Sequence, residues 1–183
     1  MNFILVCWLD TFDLAASLRT RVGMFKAEGD GRRVLPIRGL RTGTEEDAED
    51  FVGYKAATSW GELTGMRNRI KRIGDGLARM QGGGEISFGR IYMEMLDPGA
   101  VIPWRQEKTP YFARYDRAHL VLRSNPGAVM FAGGPNGTEA YSPSPGQLFI
   151  EPARMLCSAV NLGETPSVHL VVDFRREAKD QPA

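Results

Sequence analysis

Between Ile86 and Asp173 the sequence alternates short apolar runs with clusters of turn residues, and this constrains the fold more than any other feature. Eight runs read as strands: Ile86–Leu96, Ala100–Trp104, Ala118–Arg123, Ala128–Ala132, Thr138–Ser142, Gln147–Ile150, Met155–Asn161 and Ser167–Phe174. Asp97-Pro98-Gly99, Asn125-Pro126-Gly127, the segment 133–137, Ser144-Pro145-Gly146 and Gly163 fall between them, as turn chemistry requires. Strands this short and this regularly spaced suggest two antiparallel sheets packed face to face, a jelly roll. The expected class is mainly β, or α+β over the whole chain.

The first 84 residues read differently. Phe3–Leu9 is an apolar run that periodicity alone assigns to neither strand nor helix. Arg33–Arg38 reads as an edge strand, because Pro36 cannot donate to a ladder. Thr44 followed by Glu45, Glu46 and Asp47 resembles a helix start, as does Ser59 followed by Glu62. After the second signal, Leu63, Met66, Ile70, Ile73, Leu77 and Met80 recur at helical spacing. Arg67, Arg69, Lys71, Arg72 and Arg79 fall mostly off that stripe and read as a solvated basic face. Gly61, Gly65, Gly74 and Gly76 each cost about 1 kcal/mol relative to Ala, so this helix requires tertiary support. Gln81-Gly82-Gly83-Gly84 ends it. The expected organisation is an α-rich region at 1–84 packed on a strand domain at 85–176, followed by a flexible tail at 177–183.

Charge and cysteine usage narrow the functional classes. Lys+Arg 23 against Asp+Glu 22 leaves a net charge of +1, which argues for neither a nucleic acid nor a membrane surface as partner. Two cysteines, Cys7 and Cys157, are too few for a disulfide framework. Phe3–Leu9 lacks a basic leader and is too short to span a bilayer, so a cytoplasmic protein is expected. The expected partner is another protein or a second copy of the chain, met through the N-terminal region.

Within the eight-strand frame, a series of short motifs resembles the aspartyl/asparaginyl β-hydroxylase family. They are Gly89-Arg90, Leu96-x-Pro98-Gly99, Ile102, Arg117-x-His119, Asn125-Pro126, Pro145-Gly146, Val160-Asn161 and His169-Leu-Val-Val-Asp173. The resemblance runs from Gly89 to Asp173. It implies a cupin-like double-stranded β-helix and an oxygenase that uses Fe(II) and 2-oxoglutarate. It also implies a ligand set: His-x-Asp after the second core strand and a second His on the seventh. An Arg opening the eighth strand would hold the far carboxylate of 2-oxoglutarate, helped in some members by an Arg-x-His on the third.

On those positions this sequence carries Arg105, Glu107, Cys157 and Ser167, and only Arg117-x-His119 matches. A guanidinium has no lone pair to give and would repel Fe(II). Ser167 cannot replace a bidentate carboxylate anchor. Arg105, Glu107 and Cys157 are therefore degenerate metal-ligand positions, and Arg117, His119, Ser167 and His169 form a cosubstrate-like pocket. No catalytic residue is assigned and no cofactor is expected. Arg105 and Glu107, two apart on an extended segment, would pair in the vacated metal pocket, while Cys157 reads as a small buried hydrophobe. The leading expectation is a catalytically inactive relative acting as a structural or protein-interaction subunit. Two alternatives stand beside it. One is an oxidoreductase, a 2-oxoglutarate-dependent dioxygenase-like hydroxylase with its metal moved to Glu107, His119, Cys157 and His169. The other is a small-anion sensor using Arg105, Arg117 and His119.

Overall fold

A computed structural model of the chain describes residues 2–18, 22–28, 31–38, 66–134 and 137–177. In chain order the elements are β1 (Ile4–Trp8), α1 (Phe12–Leu18), β2 (Lys26–Ala27), β3 (Arg32–Arg38), α2 (Met66–Met80), β4 (Ile86–Leu96) and β5 (Val101–Arg105). They continue with α3 (Pro110–Arg114), β6 (Asp116–Arg123), β7 (Ala128–Gly134), β8 (Gly137–Tyr141), β9 (Gln147–Glu151), β10 (Leu156–Asn161) and β11 (Ser167–Arg176). A 7-stranded sheet runs β1-β9-β6-β11-β4-β3-β2, and a 4-stranded sheet runs β5-β10-β7-β8. The pairings are antiparallel. The eight strands β4 to β11 match the eight runs read from sequence, with ends moved by a residue or two.

Period-two alternation divides the large sheet into an apolar face and a polar one. On β11, Val168, Leu170, Val172 and Phe174 join the main apolar cluster with Met66, Ile70, Ile73 and Leu77 of α2 and Leu14 of α1. The intervening residues Ser167, His169 and Asp173 are buried on the opposite face, toward the small sheet. β6 repeats the division: Ala118, Leu120 and Leu122 face the helices, while Arg117 and His119 are buried on the other side with Val121. From the small sheet, Ile102, Met130, Ala132, Cys157 and Ala159 close the space between the sheets.

The N-terminal region differs from expectation. Its described residues supply three strands, β1, β2 and β3, to the same large sheet, so the region is not the α-rich unit expected, although α1 and α2 pack on that sheet's apolar face. Pairing explains the change, since β1 finds β9 and β3 finds β4. β3 is not an edge either, because β2 pairs with its outer side. The helix expected from Ser59 is present as α2, with Met66, Ile70, Ile73 and Leu77 buried as the stripe required. Arg69 departs from its expected solvated face: it is buried, with a guanidinium nitrogen 3.7 Å from Asp10. The helix signals at Thr44–Asp47 and Ser59–Leu63, residues 135–136 of the turn after β7 and residues 178–183 of the tail lie outside the described residues. No helix among the described residues is long and apolar enough to cross a membrane.

Two loops at one end of the barrel are locked by a pair of amides. Asn161, wholly buried, donates to the carbonyls of Leu96 and Thr165, both at 2.9 Å. Its Oδ1 accepts from Asn125 Nδ2 at 3.0 Å, and Asn125 Oδ1 accepts the Gly127 N–H at 2.9 Å. The Asn125-Pro126 and Val160-Asn161 motifs are accounted for as structural locks.

The opposite end is closed by α3, which sequence reading did not find. Tyr111, Phe112 and Tyr115 pack there with Ala153, and the Tyr111 hydroxyl accepts the Arg90 N–H at 2.9 Å. That approach depends on Gly89, where an added Cβ would sit 2.2 Å from the Tyr111 oxygen. Gly89→Ala should destabilise the fold by about 1–3 kcal/mol through overpacking. Adding Tyr111→Phe should return part of the loss, read as the urea midpoint of each variant.

Candidate functional site

β6 places Arg117 and His119 on the inner face of the large sheet, β9 adds Glu151, and β11 adds Ser167, His169 and Asp173. Arg117 is the hub. Its Nε lies 2.8 Å from Asp173 Oδ1 and its Nη2 3.4 Å from Oδ2, a two-point pairing across β6 and β11. Its Nη1 reaches Glu107 at 3.3 Å and stands 3.9 Å from Glu151. The Phe112 ring covers the guanidinium at 4.6 Å, so α3 caps the pair from the barrel mouth. Burial opposes the Arg117 charge, but Asp173 foremost, with Glu151, more than offsets it and holds the proton tighter than usual.

A hydrogen-bonded chain leads inward from this hub. His119 Nε2 is 3.2 Å from Glu151, His119 Nδ1 is 3.2 Å from His169 Nδ1, and His169 Nε2 is 3.3 Å from Ser167 Oγ. Ser167 donates its hydroxyl to the Arg123 carbonyl at 3.3 Å. The bond pattern then assigns the protons. His169 donates from Nε2 to Ser167 and accepts at Nδ1, so His119 donates from Nδ1. Burial opposes the Glu151 charge, but the His119 hydrogen bond and charge, then Arg117 and Arg105, hold its carboxyl below the usual range. Burial, followed by the His119 charge, pushes His169 down to about 3, so it stays neutral.

The degenerate ligand positions separate from one another. Arg105 stands opposite Cys157 in the β5–β10 ladder, which puts both on the inner face of the small sheet. Glu107 follows β5, with its N–H on the Ala153 carbonyl at 3.1 Å. The expected Arg105–Glu107 pair is not formed. Glu107 goes to Arg117, a fully buried and therefore stronger field, and Arg105 has no ion pair among the described residues. It acts on Glu151 through space. Burial, with Glu151, pushes the Cys157 thiol up to about 12, and it donates to the Pro152 carbonyl at 3.5 Å. Cys157 is thus a buried core thiol that burial keeps protonated.

Sequence reading placed Arg117, His119, Ser167 and His169 in one pocket; the structure sets them along the inner face of the large sheet, joined through Glu151, with Arg117 and Ser167 at opposite ends of the row. Sequence reading missed Glu151 and Asp173 as working partners. Asp173 had a signal, a carboxylate set inside the apolar run Val168–Phe174, which is tolerated when a partner waits across the sheet. Glu151 had a weaker one, two residues beyond the inward Phe149.

Comparisons with known proteins address the fold. No family model matches the chain, and no curated protein does. Solved structures do. An oxidoreductase of the 2OG-Fe(II) oxygenase family from Burkholderia pseudomallei aligns with a TM-score of 0.67 at 12% identity, over 96% of this chain and 85% of that one. A Pseudomonas putida prolyl-4-hydroxylase aligns at 0.57 and 15% identity, over 97% and 94%. HygX from Streptomyces hygroscopicus, with nickel and 2-oxoglutarate bound, aligns at 0.58 and 10% identity, over 96% and 83%. The fold is therefore that of 2-oxoglutarate–Fe(II) oxygenases, whereas the narrower aspartyl/asparaginyl β-hydroxylase assignment is a resemblance of motifs alone.

These neighbours overturn the expectation of no cofactor, because one of them holds a metal with 2-oxoglutarate. Iron and 2-oxoglutarate are the groups against which the site has to be measured. In the arrangement present, the residues do not fit them. Among the described residues, no group of three or more His, Cys, Asp or Glu could hold a metal ion, so the set Glu107, His119, Cys157 and His169 does not assemble. All four imidazole nitrogens are already engaged in hydrogen bonds, and the cavity beside Ser167 and His169 measures about 20 Å³, room for about one water.

The pH dependence of folding follows. The depressed His169 value means the unfolded chain binds a proton that the native chain refuses. Stability is therefore full above the ordinary value of 6.5 and falls as pH drops from there toward about 3. Glu151, lowered from 4.5, adds a loss in the same direction that begins only below 4.5. Urea midpoints should drop between pH 7 and pH 5, and His169→Gln should remove most of that drop.

Proposed function

We propose that this chain works as a structural or protein-interaction subunit built on an oxygenase fold, with the barrel interior serving as a rigid core. The observation that carries the reading is the guanidinium of Arg117, buried between the two sheets among Asp173, Glu107 and Glu151. Removing Arg117 would leave the wholly buried Asp173 carboxylate without its guanidinium, so the interior resists rearrangement. The same carboxylates argue against the anion-sensor reading, since an incoming anion would meet three negative charges around Arg117.

A second reading keeps the oxidoreductase kind and is favoured by one observation. His119, His169 and Glu151 bring two imidazoles and a carboxylate together through contacts of 3.2 Å each. If the rings turned, these donor types are those of a non-haem iron centre.

Turnover separates the readings. The purified chain, supplied with Fe(II), ascorbate and 2-oxoglutarate, should form no succinate above a protein-free control. Succinate formation that disappears in His119→Ala and His169→Ala would replace the subunit reading with the oxidoreductase one.

A further inference from the structure

A cavity of about 410 Å³ lies on the helix-facing side of the large sheet. Its walls are Leu18 of α1, Phe25, Met95 of β4, Leu122 of β6 and Val168 of β11, all buried members of the main apolar cluster. Ala15 of α1 lines it as well, whereas α2, on the same side of the sheet, contributes nothing to it. The paired charges of the interior belong to the other face of these strands, where His119 and His169 alternate with Leu122 and Val168. The large sheet therefore separates this cavity from the Arg117 hub and the histidines.

Protein interiors keep few voids larger than a water molecule. Sites for small organic ligands measure about 300–1,000 Å³ and combine apolar walls with a few polar groups that fix orientation. This cavity has that size and that make-up. Arg123, which ends β6, is the one charged residue lining it among the described residues. Arg123 is exposed, as is Val22, so the two mark the opening. The Arg123 guanidinium enters no ion pair or hydrogen bond among the described residues, and no Asp or Glu lines the cavity to neutralise it.

We propose that this cavity binds an aliphatic carboxylate, with its chain among Leu18, Phe25, Met95, Leu122 and Val168 and its carboxylate on Arg123. One guanidinium matches one carboxylate in charge, and its parallel N–H groups match the two oxygens. A phosphate monoester would bring a second negative charge, and no second cation lines the cavity among the described residues. Withdrawal of the chain from water drives binding, and the arginine at the opening decides which end enters first. The inference goes beyond the subunit reading and does not depend on it, because the two regions lie on opposite faces of the sheet.

Equilibrium dialysis of the full chain against hexanoate, octanoate and decanoate tests it. Affinity should rise about threefold for each added methylene, as each buries further apolar surface. Arg123→Gln should weaken decanoate about tenfold and leave decanol unchanged, which separates the charge from the chain. Ala15→Phe, which fills the cavity, should abolish binding of both, with the thermal midpoint reporting whether that variant folds. Arg123→Gln alters an exposed side chain and carries the test if Ala15→Phe does not fold. Absence of decanoate binding, equal affinity at the three chain lengths, or decanoate held equally by the wild type and Arg123→Gln would overturn the proposal.

Discussion

The Arg117–Asp173 pair is the interaction on which the rest of the barrel depends. Two charges removed from water cost several kcal/mol each unless they find matched partners, and this pair is met at two points across adjacent strands. Arg117 also ties in β9 through Glu151 and the segment after β5 through Glu107. One guanidinium thus fixes the mutual positions of β6, β11 and β9, and pins the chain leaving the small sheet. The aromatic plug of α3 completes the arrangement by excluding water from the charges it covers.

That arrangement also sets the register of the large sheet. Its helix-facing side is continuous apolar surface, and its inner side holds Arg117, His119, Glu151, His169 and Asp173. A slip of one residue in β6 or β11 would drive buried charges into the core beneath α1 and α2. The polar interior therefore confers specificity whatever its net worth in stability. The hydrogen-bonded chain from Glu151 through His119 and His169 to Ser167 extends the same logic inward, each group satisfied by the next.

The eight core strands were legible because Pro-Gly and Asn-Pro clusters punctuate runs whose length allows little else, and the α2 stripe was legible from its spacing. The N-terminal strands were not. Phe3–Leu9 has no period that separates strand from helix, and its state is decided by β9, far along the chain. In the interior, Arg117 and His119 could be placed by their motif. The preference of Glu107 for Arg117 over Arg105 could not, because it depends on which guanidinium lies deeper in the folded barrel. Glu151 and Asp173 needed three-dimensional pairing to be seen as partners.

Structure neighbours give the barrel an oxygenase fold, while its own side chains fill the interior with paired charges. The central claim, that this interior is an ion-pair core, is tested most directly by a double-mutant cycle in stability. Arg117→Met alone should cost about 3–5 kcal/mol, because it strands the wholly buried Asp173, and Asp173→Leu alone should cost less, because Arg117 keeps Glu107 and Glu151. The double variant, with both charges gone, should lie well above the sum of the two losses and within about 2 kcal/mol of the wild type. Additive losses in the cycle, or single variants as stable as the wild type, would contradict the account.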